Sequence, residues 1–142
     1  MLAGVGMFWL SIFFLPQARM GFLAPLSVPA IGVFALGLIL RWYAILRLGS
    51  FFTVEVAITA GHKLVDTGLF GLVRHPSYAG LLLMLLAIGI RSGNIAALAL
   101  LMAASLGGLL QRMRVEEAAL SAAFPEYVDY MRRTKRLVPF LY

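Results

Sequence analysis

The chain has 142 residues, 62% of them hydrophobic, with a mean hydropathy of +0.94 and a formal charge of +6. Soluble domains are about half apolar, so a single soluble core of this length cannot hide the excess, and lipid is the expected solvent. The absence of cysteine excludes disulfides, thiolate metal sites and cysteine nucleophiles; the basic residues lie between apolar runs with no aromatic platform around them, so no nucleic-acid partner is expected.

No linker, charge block or internal repeat divides the chain, and one membrane domain over residues 1–142 is expected. Residues 2–15 form a first apolar segment, stopped by Pro16. It lacks a basic start and a small-x-small cleavage site, so it reads as a retained helix rather than a signal peptide. Residues 28–48 form the second segment, opening after Ser27 with Pro29 in the first turn, where proline is favoured. At ~1.5 Å per residue it is long enough to cross a ~30 Å core. Residues 51–73 carry Glu55, His62, Lys63 and Asp66 among glycines, which is too polar for a span and too long for an idle turn.

Residues 77–90 and 95–110 are the third and fourth apolar segments. Arg91-Ser92-Gly93-Asn94 between them reads as a tight turn, so they should form an antiparallel helical hairpin. Segments one, three and four are short for full spans; either each runs a turn further or the bilayer thins around it. Beyond Leu110 the fourth helix should continue to Ala123, break at Phe124-Pro125-Glu126 and give way to a short basic helix over 127–135. Residues 138–142 read as an apolar tail lying on the membrane surface. The expected fold class is therefore an all-α integral membrane protein with about four transmembrane helices. With the N-terminus inside, only Arg19 and Arg91 face out, so both termini are expected in the cytoplasm. The small-residue run 103–108 allows close helix packing within one chain or between copies, which leaves an oligomer open.

Two polar clusters flank the hairpin. At Arg74-His75-Pro76, the proline suits a first helical turn. The free N–H groups and positive end of that helix favour a carboxylate or phosphate. The same residues equally suit an interfacial anchor to headgroups. Arg112 and Glu116 are spaced to share one helix face. They form either a plain surface ion pair or a site in which Glu116 meets a cation and Arg112 an anion. Glu117 lies about 100° round the helix, on the face of Leu120 and Phe124. The two histidines have no third ligand at a metal-binding spacing, so no metal site is expected. Phosphate-binding, dinucleotide and serine-elbow motifs are absent from the sequence.

His62-Lys63-Leu64-Val65, Gly68-Leu69-Phe70, Arg74-His75-Pro76-Ser77-Tyr78-Ala79-Gly80, Arg112-x-x-x-Glu116-Glu117 and Phe124-Pro125-Glu126-Tyr127 together resemble the isoprenylcysteine carboxyl methyltransferases. The phospholipid N-methyltransferases share the same C-terminal core. The resemblance covers roughly residues 41–139. It implies an integral membrane methyltransferase with a cytosolic cofactor pocket, using S-adenosylmethionine and releasing S-adenosylhomocysteine. It places His62, Lys63, Leu64, Val65, Phe70, His75, Pro76, Ser77 and Tyr78 around the cofactor, has Glu116 hold it, and turns Arg112 toward the acceptor. Phe70 stands where the family often has tyrosine, and Glu55 where some members carry an amide. Pro125 replaces a glycine in an element that is one residue shorter here, and the N-terminal part has one or two spans fewer than in larger members.

The chemistry of the residues agrees with that implication. A glutamate suits the ammonium of S-adenosylmethionine, a helix start beside His75 suits its carboxylate or ribose, and Tyr78 and Phe70 can pack on adenine. Methyl transfer from a sulfonium is a direct displacement, so alignment supplies most of the catalysis. A carboxylate acceptor needs no base and would be oriented by Arg112. An amine acceptor must lose a proton, to Glu117 or Glu55. The expected acceptor is lipid-like or prenylated, with a carboxylate preferred, in a prokaryotic plasma membrane or, for a eukaryote, the endoplasmic reticulum. Amine or phospholipid N-methylation and a non-catalytic membrane scaffold remain alternatives.

Overall fold

The computed structural model describes residues 25–49 and 64–139. The expectations for residues 2–15, Glu55, His62, Lys63 and residues 140–142 fall outside the described residues. Four helices are described: α1 (Ser27–Leu48), α2 (Pro76–Arg91), α3 (Ile95–Ala123) and α4 (Tyr127–Arg133). A short 3-10 turn, Gly68–Gly71, precedes α2. Among the described residues there is no strand, and one parallel bridge joins Val73 to Lys135.

α1 and α2 lie antiparallel, and theirs is the most extensive helix contact. At one end the Arg91 guanidinium donates to the Ser27 carbonyl at 3.3 Å; toward the other, Arg41 donates to Ser77 Oγ at 3.1 Å. Between them the backbones touch at Gly37 and Gly80. A Cβ on Gly80 would stand 2.5 Å from the Gly37 carbonyl oxygen and 2.8 Å from the Arg41 nitrogen. Only hydrogen in place of Cβ allows that approach, as at close helix crossings in membranes. The 103–108 run has a different place. Within it only Ser105 is buried, and a Cβ on Gly107 or Gly108 would meet nothing within 4 Å.

The α2–α3 turn forms as its residues require. Gly93 takes φ +64°, the left-handed conformation that glycine adopts without penalty. Ser92 Oγ donates to the Gly89 carbonyl at 2.7 Å. Asn94 Oδ1 accepts from Ala97 N at 3.0 Å and caps α3. Above the turn, Ala97 and Leu101 pack with Leu85. Further along, Leu109 and Met113 pack with Leu137, Tyr78 and Leu82.

α3 runs unbroken to Ala123, beyond the apolar stretch that stops at Leu110. α4 ends at Arg133, two residues earlier than its sequence suggests, because Thr134 turns extended. The chain then pairs with the approach to α2. Arg74 N donates to the Lys135 carbonyl at 2.7 Å, His75 N to that of Arg136 at 3.0 Å, and Lys135 N to that of Leu72 at 3.3 Å. Leu137 is thereby buried, while Val138 and Pro139 are exposed.

α1 and α3 are long and apolar enough to cross a membrane, and only 17% and 22% of their apolar windows are buried. The core helix of a soluble protein is mostly covered; here Val28 and Leu46 are each 73% exposed and Ile39 66%. α2 is a shorter apolar helix. The described residues thus hold three apolar helices, of which α2 and α3 form the expected hairpin.

Candidate active site

The site grows from the buried carboxylate of Glu117, about two turns past the apolar part of α3. Arg74 Nε donates to its Oε1 at 2.8 Å. Arg136 donates to its Oε2 through Nη2 at 2.8 Å and Nε at 3.0 Å, and Nε also reaches Oε1 at 3.3 Å, so one guanidinium edge engages both oxygens of the carboxylate. His75 Nε2 lies 3.2 Å from Oε1; an ionised carboxylate only accepts, so this nitrogen carries the proton. Burial alone would raise the Glu117 carboxyl, but hydrogen bonds from His75, Arg136 and Arg74 outweigh it and hold it at about 2. Arg74 is fixed in turn, since its Nη1 donates to the carbonyls of Met131, at 2.9 Å, and Thr134.

One residue earlier on α3, Glu116 enters a second chain of contacts. The Tyr78 hydroxyl donates to Glu116 Oε2 at 2.9 Å and accepts from Arg112 Nε at 2.6 Å. A neutral phenol thus sits between the arginine and the glutamate. The Tyr78 ring stacks on His75 with centroids 5.4 Å apart. The two carboxylates therefore have different surroundings: Glu117 has 6% of its side chain exposed and Glu116 31%. The buried one is committed to arginines, and the more open one is available to a ligand.

Glu116 borders an open cleft whose lining includes Leu64, Val65, Phe70, Arg74, His75 and Phe124. Its space is about 550 Å³ when the open mouth is counted. Tyr127 and Tyr130 also line it. Burial, opposed by the Arg74 charge, pushes the Tyr130 phenol up to about 12. Its hydroxyl donates to the Phe70 carbonyl at 2.7 Å.

Of the residues singled out in the sequence, Leu64, Val65, Phe70, His75 and Glu116 line this one cleft. Pro76 and Ser77 are buried at the start of α2, with Ser77 engaged by Arg41. Tyr78 and Arg112 stand beside the cleft through their bonds to Glu116. Sequence reasoning missed Arg136 and Tyr130, and it gave Tyr127 no role although that residue stands in one of the family-like elements. Arg136 arrives by a turn after α4 that has no local signature. The tyrosines carried a signal, their spacing of three on a short helix after a proline break.

The match to the family model of the isoprenylcysteine carboxyl methyltransferase (ICMT) family covers residues 30–122. The chain is 31% identical over 115 residues to a protein-S-isoprenylcysteine O-methyltransferase of Schizosaccharomyces pombe, covering 79% of this chain and 49% of that one. It is 34% identical over 110 residues to protein-S-isoprenylcysteine O-methyltransferase B of Arabidopsis thaliana, covering 75% and 55%. It is also 37% identical over 80 residues to a cobalt-zinc-cadmium resistance protein of Cupriavidus metallidurans, covering 56% and 37%. A solved structure of a eukaryotic intramembrane Ras methyltransferase, ICMT, superposes with a TM-score of 0.76 at 28% identity, over 99% of this chain and 50% of that one. The chain thus spans about half the length of these relatives or less. Its membrane character rests on that fold together with the apolar helices. The chain belongs to the isoprenylcysteine carboxyl methyltransferase family.

Proposed function

We propose that the chain is the catalytic core of a membrane methyltransferase that moves a methyl group from S-adenosylmethionine to the carboxylate of a lipid-like acceptor. The observation that carries this reading is the Arg112–Tyr78–Glu116 chain beside the cleft. It sets a cation for an anionic acceptor next to a partly exposed carboxylate for the donor's ammonium. The donor set of the cleft suits S-adenosylmethionine: Glu116 for the ammonium, His75 beside the start of α2 for the carboxylate, and apolar and aromatic side chains for the adenine.

When bound, S-adenosylmethionine supplies a methyl on a sulfonium that needs no further activation. The chain's task is alignment and electrostatics. Arg112 would orient the acceptor carboxylate, and the Tyr78 hydroxyl holds its Nε in place. Glu116, steadied by the same hydroxyl, would fix the amino-acid end of the donor. His75, held between the Tyr78 ring and Glu117, would complete that wall.

A carboxylate acceptor is favoured over an amine by the state of Glu117. An amine must surrender a proton, and the sequence offers Glu117 or Glu55 as its base; of the two, only Glu117 lies among the described residues. A carboxyl held at about 2 by three donors is a poor base near neutral pH. We therefore assign Glu117 to positioning Arg74, His75 and Arg136 rather than to proton transfer.

The test is binding and turnover with detergent-purified protein. S-adenosylhomocysteine should bind to wild type and to Arg112→Ala, while Arg112→Ala loses at least about 100-fold in methyl transfer to a lipophilic carboxylic acid. Wild-type turnover in Arg112→Ala would overturn the role of Arg112. A folded wild type that does not bind S-adenosylhomocysteine would leave a scaffold that shares the fold.

A further inference from the structure

The cleft has two chemical kinds of lining. Arg74, His75 and Glu116 supply its charges. Its other polar side chains are two phenols among apolar neighbours, Tyr127 and Tyr130. The Tyr130 hydroxyl is already committed to the Phe70 carbonyl. Tyr127 is different. It is 2% exposed, its ring meets Tyr130 edge-on at 5.4 Å, and among the described residues its hydroxyl has no hydrogen-bond partner.

A buried hydroxyl with nothing to bond is costly, and natural structures rarely keep one without a reason. Tyr127 lines the wall of an open cleft, where a ligand atom can reach it. We propose that the Tyr127 hydroxyl is the polar anchor for the nucleoside half of the methyl donor, seated among the aromatic side chains of the cleft. This rests on the methyltransferase reading above.

The choice of the nucleoside follows from matching charge. The donor's ammonium and carboxylate are ions, and the charged side chains of the cleft answer them. A purine ring and ribose hydroxyls are neutral groups that need a neutral partner able to donate and accept. Burial first, and then the Glu117 charge, push the Tyr127 phenol up, so it keeps its proton throughout the physiological range. The flanking rings of Phe124, Tyr130 and Phe70 add apolar and aromatic surface of the kind a purine packs against.

Tyr127→Phe keeps the ring and removes only the oxygen, and it separates a ligand role from a structural one. Binding of S-adenosylhomocysteine and of 5′-methylthioadenosine would be measured by calorimetry on the full chain in detergent, beside thermal unfolding without ligand. The expected result is a loss of about tenfold or more in affinity for both ligands, with an unfolding temperature that stays the same or rises. Unchanged affinities would overturn the proposal. So would a lower ligand-free unfolding temperature, since the hydroxyl would then have a partner within the protein. A loss confined to S-adenosylhomocysteine would move the hydroxyl to the amino-acid end and overturn the nucleoside assignment. If folded wild type binds neither ligand, both this proposal and the methyltransferase reading fall.

Discussion

Glu117 concentrates the site's electrostatics in one side chain. It joins α3 to Arg74 before α2 and to Arg136 after α4, so three separated pieces of chain meet on one carboxylate. Removing its charge leaves two arginines without their shared counter-ion, which in buried settings costs about 3–5 kcal/mol. Glu117→Gln should accordingly lower the unfolding temperature in detergent far more than Glu116→Gln, whose carboxylate is the more exposed. The pH dependence has a definite sign. The folded-state value is depressed from 4.5 to about 2, so the stabilisation is complete above about pH 4.5. It is lost as pH falls toward 2. A titration of unfolding temperature should show this acid loss in wild type and not in Glu117→Gln; equal curves would refute the hub. The sequence marked Glu116-Glu117 as a pair but not which of the two is buried. That is decided by Arg136, which reaches the site only through the break at Pro125 and the extended turn at Thr134.

At the scale of elements, the local signals were legible and the helix crossing was not. Pro76, the Ser92-Gly93-Asn94 turn and the Phe124-Pro125 break each act within a few residues, and each appears in the structure where its chemistry puts it. The Gly37–Gly80 contact joins two residues far apart in the chain, and neither glycine is marked by its neighbours. The small-residue run on α3, open in the sequence to packing within one chain or between copies, leaves Gly107 and Gly108 exposed in the single chain. The two kinds of glycine should respond oppositely to alanine. In a helix interior alanine is normally favoured by about 1 kcal/mol, and Gly107→Ala should be neutral or stabilising. Gly80→Ala drives a methyl into the α1 backbone and should cost about 1–3 kcal/mol as overpacking. Thermal unfolding of the two variants side by side checks this. A stabilised Gly80→Ala would mean that the helices do not touch there.

At the scale of the whole molecule, the charges of the described residues gather at one end of the helices, with Arg91 the exception at the other. α1 and α2 run antiparallel, with Ser27 and Arg91 together at one end and Arg47 bonded to Thr67 at the other, at 3.1 Å. The site belongs to that second end, with Arg74, Arg112, Arg132, Arg133, Lys135 and Arg136 on the segments that build it. Such a sorting is what a bilayer imposes, because charged side chains cannot rest in hydrocarbon and basic ones collect on the cytoplasmic side. It also suits the proposed reaction. In that reaction a soluble, multiply charged donor would reach the cleft from the aqueous side, while an apolar acceptor would arrive through the membrane beside the same helix ends. The natural lack of cysteine makes the arrangement directly measurable. Arg91→Cys and Arg132→Cys each place one thiol at an exposed position, on the α2–α3 turn and on α4. In sealed right-side-out vesicles a membrane-impermeant maleimide should label Arg91→Cys at once and Arg132→Cys only after the vesicles are opened. Inverted vesicles should reverse the pattern. Labelling of both thiols from one side would place the turn and the site on the same face, and the helices between them could not then be spans.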